Sequence, residues 1–134
     1  MSDFPVTIFH NPACGTSRNT LAMIEAAGYA PTVVEYLQAG WTRPQLETLL
    51  AEMGATPRDI LRAKEAEARG LDADAGDEAL LEAMVREPVL VQRPIVTTSL
   101  GTKLCRPSEA VLDLLETKPE RFVKEDGEVV VSGG

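Results

Sequence analysis

Hydrophobic positions along this chain first alternate and then follow a helical period. Residues 5–10 and 32–37 are short apolar runs with β-branched side chains, which predict two strands. Between them, residues 16–28 carry apolar side chains at helical spacing and end at Gly28. A strand, a helix and a strand within about 30 residues predict a βαβ unit, in which the strands pair in parallel through a right-handed crossover.

The next part of the chain is predicted to be mainly helical. Residues 42–45 form a capping-box sequence, and apolar side chains follow at helical spacing at positions 46, 49, 50 and 53. Thr56-Pro57 then begins a short helix, with proline at its first helical position. The first of these two is the clearest helix in the sequence.

The helical part continues less regularly after this point. Residues 64–78 are charged, alanine-rich and interrupted by glycine, which predicts a surface helix and a loop. Asp77 is predicted to cap another helix with apolar residues on one face, and Glu87-Pro88 is predicted to end that helix. Only helices and loops are therefore expected here.

The remainder of the chain returns to strand patterns. Residues 93–98 and 102–105 flank a short glycine-containing turn, which predicts an antiparallel hairpin. Pro107-Ser108 is predicted to cap a final amphipathic helix. Residues 122–131 are expected to form either a small hairpin or an extended tail, and residues 132–134 are expected to fray.

This order of elements is that of a thioredoxin-like fold. A βαβ half, a helical insertion at about residues 42–88 and a ββα half predict an α/β, three-layer domain with a mixed central sheet, spanning residues 1–134. That fold places a nucleophilic cysteine after its first strand and a cis proline before the strand that opens its second half. Cys14 and Pro94 are the candidates for these two positions.

Composition and charge narrow the possible partners. The 134 residues carry a formal net charge of −8, which argues against a broad surface for nucleic acid or anionic membranes. No run of about 18 apolar residues is present, and the first five residues lack the features of a signal peptide. A cytoplasmic protein is predicted. In a reducing compartment its two cysteines are expected to remain thiols.

The residues from His10 to Arg18 are the strongest functional candidate in the sequence. They lie where the first predicted strand ends and the first predicted helix begins, and Cys14 falls at or just before the first helical turn. Unpaired N–H groups and the helix dipole favour an anion at this place. A thiol held there ionises more easily, and the thiolate is its reactive form.

Spacing excludes several other thiol chemistries. A dithiol oxidoreductase needs Cys-x-x-Cys, but the third residue after Cys14 is Ser17. An anion loop of the Cys-x5-Arg type needs an arginine where this chain has Thr20. Neither Cys14 nor Cys105 has the neighbours for a zinc site, so no metal site is predicted. Cys105 is expected to be a small buried residue in a strand rather than a second redox partner.

Two separate motifs resemble a known family. Residues 10–20 read His-Asn-Pro-Ala-Cys-Gly-Thr-Ser-Arg-Asn-Thr. Residues 93–96 read Arg-Pro-Ile-Val, and residues 100–109 read Leu-Gly-Thr-Lys-Leu-Cys-Arg-Pro-Ser-Glu. In content, order and spacing these motifs closely resemble the glutaredoxin-coupled arsenate reductase family, over about residues 6–131.

The resemblance implies an enzyme of arsenical detoxification. Members of that family reduce arsenate to arsenite with electrons from glutathione and glutaredoxin. By this resemblance Cys14 is the nucleophile that attacks arsenic(V) and forms a covalent thiol–arsenate adduct. Glutathione then attacks the adduct as a co-substrate, glutaredoxin removes the glutathione and arsenite leaves. No tightly bound cofactor is implied.

The resemblance also implies roles for residues around the thiol. Arg62, Arg93 and Arg106 match three arginines that bind the oxyanion, and His10 matches a histidine near the thiol. Arg58 remains an alternative to Arg62, because the residues after Arg62 depart from the family pattern. Planar guanidinium groups suit this task, since they hold oxyanions bidentately and neutralise their charge. Thr16 and Ser17 are supporting residues: by type they cap a helix, and the hydroxyl of Ser17 or Thr16 is expected to donate a hydrogen bond to the thiolate.

Two other functions remain open for this fold. One is a regulator without enzymatic activity that binds RNA polymerase, and the other is an orphan thiol reductase with a different substrate. Relatives of those kinds typically lack the full set of arginines or carry Cys-x-x-Cys. The combination of Cys14 with Arg62, Arg93 and Arg106 therefore favours the arsenate reductase.

Overall fold

The structure is a computed structural model that describes residues 4–72 and 74–131. The described chain forms two compact units. The first contains the residues up to Glu35 and those from Arg93 onward, and the second runs from Tyr36 to Gln92. Each unit is described separately below.

Four strands and one helix form the main part of the first unit: β1 (Thr7–His10), α1 (Gly15–Ala26), β2 (Thr32–Glu35), β3 (Ile95–Thr98) and β4 (Gly101–Leu104). The strand order in the sheet is β2-β1-β3-β4. β1 pairs in parallel with β2 and antiparallel with β3, and β3 pairs antiparallel with β4. The predicted βαβ unit and hairpin are confirmed, and the sheet is mixed as in a thioredoxin-like fold.

The second strand is shorter than predicted. β2 ends at Glu35, and Tyr36–Ala39 forms a short helix, α2, instead of the last two residues of a strand. Tyr36 is fully buried, its ring stacks on Trp41 at a centroid distance of 5.1 Å, and its hydroxyl donates to the carbonyl of Val91. These contacts of Tyr36 outweigh the β propensity of the run.

The last predicted helix has a tighter winding than expected. Ser108–Leu114 is a 3-10 helix rather than an α-helix. Ser108, Val111 and Leu114 recur every third residue among its buried side chains, which also include Leu112. That is the period of a 3-10 helix, in which side chains three apart lie directly above one another.

The hydrophobic core of the first unit fixes α1 against the sheet. Ile8 and Val96 come from the sheet, Met23 and Ile24 from α1, and Val111 from the 3-10 helix, and all five are fully buried. Each buried aliphatic side chain of this size contributes about 1.5–3 kcal/mol. The core thus holds the C-terminal half of α1, and the N-terminus of the helix follows the turn at the end of β1.

A small hairpin completes the described part of the first unit. β5 (Arg121–Val123) pairs antiparallel with β6 (Val129–Val131), which confirms the hairpin rather than the extended tail. Phe122 and Val130 pack against the core on one face. Residues 132–134, which are expected to fray, lie outside the described residues.

The second unit contains α2 and three longer helices, α3 (Arg43–Met53), α4 (Ala63–Ala68) and α5 (Asp77–Arg86), together with 3-10 helices at Pro57–Ile60 and Pro88–Leu90. Both hydrogen bonds of the capping box predicted for α3 are present. The helix predicted after Thr56 is a single 3-10 turn, because only four residues follow before the chain extends at Leu61. Asp77 was predicted to cap α5, but the N-cap residue is Gly76, and Asp77 is the first residue of the helix.

No helix in the described part of the chain is long and apolar enough to cross a membrane.

Candidate active site

The turn between β1 and α1 holds Cys14 at the N-cap of a 12-residue helix. The Cys14 N–H donates to the carbonyl of Asn11 at 3.0 Å, and the Ala13 N–H donates to Asn11 Oδ1 at 2.9 Å. The Cys14 carbonyl accepts the N–H of Arg18 at 2.9 Å, which begins the helix. The thiol therefore lies at the positive end of α1, where unpaired N–H groups can reach it.

Charge and hydrogen bonding around Cys14 favour its thiolate. The side chain is mostly buried, and this burial is the largest single influence and raises the pKa. The backbone N–H of Ser17, the charge of Arg93, the guanidinium of Arg106 and the backbone N–H of Thr16 act in the opposite direction. Together they outweigh burial, so the pKa of the Cys14 thiol lies below its ordinary value.

Two of the predicted arginines lie beside the thiol. Arg106 Nη1 is 3.9 Å from Cys14 Sγ and donates to the carbonyl of Arg93 at 3.0 Å. The Arg93–Pro94 peptide bond is cis, and the carbonyl of Pro94 accepts the N–H of Cys105 at 2.9 Å. The loops before β3 and after β4 thus bring Arg93, Pro94 and Arg106 together, and two guanidinium charges face one thiol.

His10 reaches the helix through a serine. Its Nδ1 lies 2.6 Å from Ser17 Oγ, which also accepts the N–H of Asn11 at 3.0 Å. Burial lowers the pKa of His10, the carboxylate of Glu35 raises it, and the charge of Arg18 lowers it, with a net lowering. A neutral imidazole with its proton on Nε2 accepts the Ser17 hydroxyl at Nδ1. His10 therefore stabilises the first turn of α1 through its hydrogen bond with Ser17.

The supporting residues differ in detail from the expectation. Thr16 and Ser17 act on Cys14 through backbone N–H groups, not through hydroxyls. The Ser17 hydroxyl is engaged by His10 and Asn11, and the Thr16 carbonyl accepts the hydroxyl of Thr20 at 2.8 Å. Helix geometry explains the difference, because N–H groups of the first turn point toward the N-cap while side chains point outward.

Arg62 belongs to the second unit. It precedes α4, and its Nη1 donates to the carbonyl of Val89 at 3.3 Å. Its Nη2 lies 3.8 Å from Glu65 Oε1. The alternative, Arg58, donates to the carbonyl of Ala75 at 2.7 Å. A role of either arginine in oxyanion binding stays a prediction.

Sequence reasoning missed one interaction at this turn. Arg18 makes a bidentate ion pair with Glu125, with Nε to Oε2 at 2.8 Å and Nη2 to Oε1 at 2.9 Å. Its Nη1 also donates to the carbonyl of Pro12 at 2.8 Å. Arg18 was part of the motif, but nothing in the sequence connects it with a carboxylate 107 residues away.

Comparison with known proteins decides the family. The ArsC family model matches residues 9–114, which include the cysteine turn and the Arg106 loop. This chain belongs to the ArsC family. The arsenate reductase ArsI1 of Synechocystis is 52% identical over 135 residues, which cover 98% of this chain and 94% of that protein. The arsenate reductase of Escherichia coli K12 is 50% identical over 130 residues, covering 94% and 92%.

A solved structure of an arsenate reductase has the same fold. The structure of an arsenate reductase from Vibrio cholerae superposes with a TM-score of 0.79 at 37% sequence identity. The match covers 85% of this chain and all of that one. Within the described residues of this ArsC chain, no cluster of three or more His, Cys, Asp or Glu is arranged to hold a metal ion.

We expect the two cysteines of this ArsC chain to differ strongly in their rates of alkylation by iodoacetamide. Because the pKa of Cys14 is lowered, its thiolate fraction and alkylation rate near neutral pH will exceed those of an ordinary cysteine. Burial raises the pKa of Cys105 to about 12, so Cys105 will stay protonated and unlabelled. Peptide mass spectrometry across a pH series measures both rates. In denaturant the two rates should become similar, and equal rates in the folded protein would contradict this assignment.

Proposed function

We propose that this chain is an arsenate reductase that converts arsenate to arsenite. The observation that carries the proposal is the position of Cys14 Sγ, at the N-terminus of α1 and 3.9 Å from Arg106 Nη1, with the charge of Arg93 acting on the same thiol. Membership of the ArsC family and the names of relatives about half identical to this chain support it. These features combine a reactive thiolate with a place for an anion.

The first step joins Cys14 to arsenic without a change of oxidation state. Arsenate is an anion at neutral pH, so a thiolate would repel it in the absence of positive charge. Arg93 and Arg106 offset this repulsion, and guanidinium groups can donate to two arsenate oxygens at once. The thiolate attacks arsenic(V), an S–As bond forms, and one arsenate oxygen is protonated and leaves as water. Arg62 is proposed as the third oxyanion ligand.

Glutathione and glutaredoxin are proposed to supply the two electrons. The glutathione thiol condenses with the Cys14 adduct, releases a second water and places its sulfur on arsenic. A glutaredoxin thiolate then attacks that glutathione sulfur. The bond between the glutathione sulfur and arsenic breaks, and its electron pair stays on arsenic. The products are arsenic(III), still bonded to Cys14, and a glutaredoxin–glutathione disulfide. Hydrolysis of the remaining bond to Cys14 releases arsenite and restores the thiol.

The test of this function is a coupled assay that follows arsenate-dependent NADPH oxidation with glutathione, glutathione reductase and glutaredoxin. We expect activity that needs both glutathione and glutaredoxin. Replacing these components by thioredoxin and thioredoxin reductase should abolish turnover, because Ser17 stands where a resolving cysteine of a dithiol site would be. A folded protein with an alkylatable Cys14 and no activity with either donor system would contradict arsenate reduction.

A further inference from the structure

The loop of the C-terminal hairpin reaches the helix that follows the cysteine turn. Glu125 lies between β5 and β6, and its carboxylate accepts two hydrogen bonds from Arg18, at 2.8 and 2.9 Å. Its backbone N–H donates to Asn19 Oδ1 at 3.0 Å. Two successive residues of α1 are therefore bound to one residue of the hairpin, which fixes the hairpin loop against the first turns of the helix.

Arg18 carries this connection to the backbone of the cysteine turn. While Nε and Nη2 face Glu125, Nη1 donates to the carbonyl of Pro12 at 2.8 Å. Pro12 is two residues before Cys14, so the guanidinium joins the hairpin loop to the segment that carries the thiol. An exposed ion pair contributes little stability by itself. A guanidinium that is hydrogen-bonded both to the Glu125 carboxylate and to the Pro12 carbonyl, however, limits the movement of the Pro12 backbone.

The hairpin is itself anchored, so it can serve as a fixed support. Lys124 Nζ lies 2.7 Å from Glu109 Oε1 in the 3-10 helix and 2.6 Å from Glu128 Oε1, and its side chain is 10% exposed. Phe122 and Val130 pack on the core below it. Glu125 is thus presented to Arg18 by an element that the rest of the unit holds in place.

We propose that Glu125 and Arg18 are positioning residues that fix the Pro12–Cys14 turn, so that Cys14 Sγ stays within reach of the N–H groups of α1 and the Arg106 guanidinium. The inference rests on the proposed role of Cys14 as the nucleophile. The effect of Glu125 passes through Arg18 and the Pro12 carbonyl to the thiol, while the charge of Arg18 also acts on Cys14 directly.

A purely electrostatic role of Glu125 would have the opposite sign. Removing a negative charge near the site would by itself favour the Cys14 thiolate and increase its reactivity. Loss of the support for the turn instead weakens the N–H and guanidinium contacts that stabilise the thiolate, and reactivity falls. The direction of the change therefore separates the two roles.

The experiment compares Glu125→Gln with Glu120→Gln, which makes the same charge change at an exposed residue just before β5. We expect Glu125→Gln to slow alkylation of Cys14 by iodoacetamide near neutral pH by about three- to tenfold, with a similar fall in kcat/KM for arsenate. Glu120→Gln should stay close to wild type in both. Alkylation needs neither arsenate nor an electron donor, so this readout remains valid if the proposed function is wrong. Unchanged or faster alkylation in Glu125→Gln overturns the proposal, whatever happens to turnover.

A double-mutant cycle tests whether Glu125 acts through Arg18. Arg18→Gln alone should slow alkylation at least as much as Glu125→Gln, because it also removes a positive charge that acts on Cys14, and the double variant should be no slower than Arg18→Gln. Fully additive effects would overturn the connection. Arg18→Lys keeps the charge but loses the bidentate geometry, so it should show the same direction of change, and it replaces Glu125→Gln in the test if that variant does not fold.

Discussion

Replacing Cys14 by serine will abolish arsenate-dependent turnover and leave the fold intact. Serine has nearly the same shape as cysteine, and Cys14 is only 8% exposed, but the serine hydroxyl does not ionise near neutral pH. Loss of a nucleophile typically lowers kcat by at least about a thousandfold. The coupled assay measures this loss, and thermal unfolding monitored by circular dichroism should give a Tm close to that of wild type.

The matched control is Cys105→Ala, which removes the other thiol. Cys105 is fully buried, and its thiol is 3.7 Å from the carbonyl of Lys103. The variant should keep most of the turnover, although the small cavity lowers the free energy of unfolding by about 1 kcal/mol. Comparable loss of turnover in both variants, with both folded, would require a mechanism that uses two cysteines.

Replacing Arg106 by alanine is expected to have the next largest effect. The side chain brings a positive charge to Cys14 and donates to the Arg93 carbonyl, so its loss removes a stabilising contact of the thiolate and a proposed ligand of the oxyanion. A hydrogen bond to a charged group contributes about 1.5–3 kcal/mol, which corresponds to a fall in kcat/KM of about 10- to 100-fold. The pKa of Cys14, measured from the pH dependence of alkylation, should rise.

The controls for Arg106 separate charge from geometry. Arg106→Lys keeps the charge without the planar fork, so it should recover part of the activity. Arg121→Ala removes a positive charge from the exposed start of β5 and should leave kcat/KM within about twofold. Because Arg106 is exposed, its replacement should change the Tm little. An unfolded Arg106→Ala variant would assign the residue a structural role instead.

Local sequence patterns predicted most of the first unit and the start of α3 in the second unit. The first two strands, the hairpin and the start of α3 each depend on residues close in sequence, and the structure has all of them. Cys14 was placed correctly for the same reason, since a strand end and a helix start define its position. The winding of Ser108–Leu114 was missed because apolar residues in so short a segment fit an α-helix as well as a 3-10 helix.

Interactions across long sequence separations could not be predicted in this way. Tyr36 was assigned to a strand because its burial against Trp41 is not visible in a local pattern. The pairing of Arg18 with Glu125 depends on where the C-terminal hairpin folds back. The Arg106 contact with Cys14 was anticipated only from the family motif, since 92 residues separate the two positions.

The burial of Cys105 has a consequence for oxidative stress. Burial raises the pKa of its thiol to about 12, so it does not supply the thiolate that an internal disulfide would require. The chain has two cysteines, and a sulfenic acid formed on Cys14 therefore has no partner within the same molecule. Recovery from peroxide will depend on small thiols in the surroundings. Until one reacts, the oxidised Cys14 stays a sulfenic acid, and the mixed disulfide that then forms needs a second thiol to restore the cysteine.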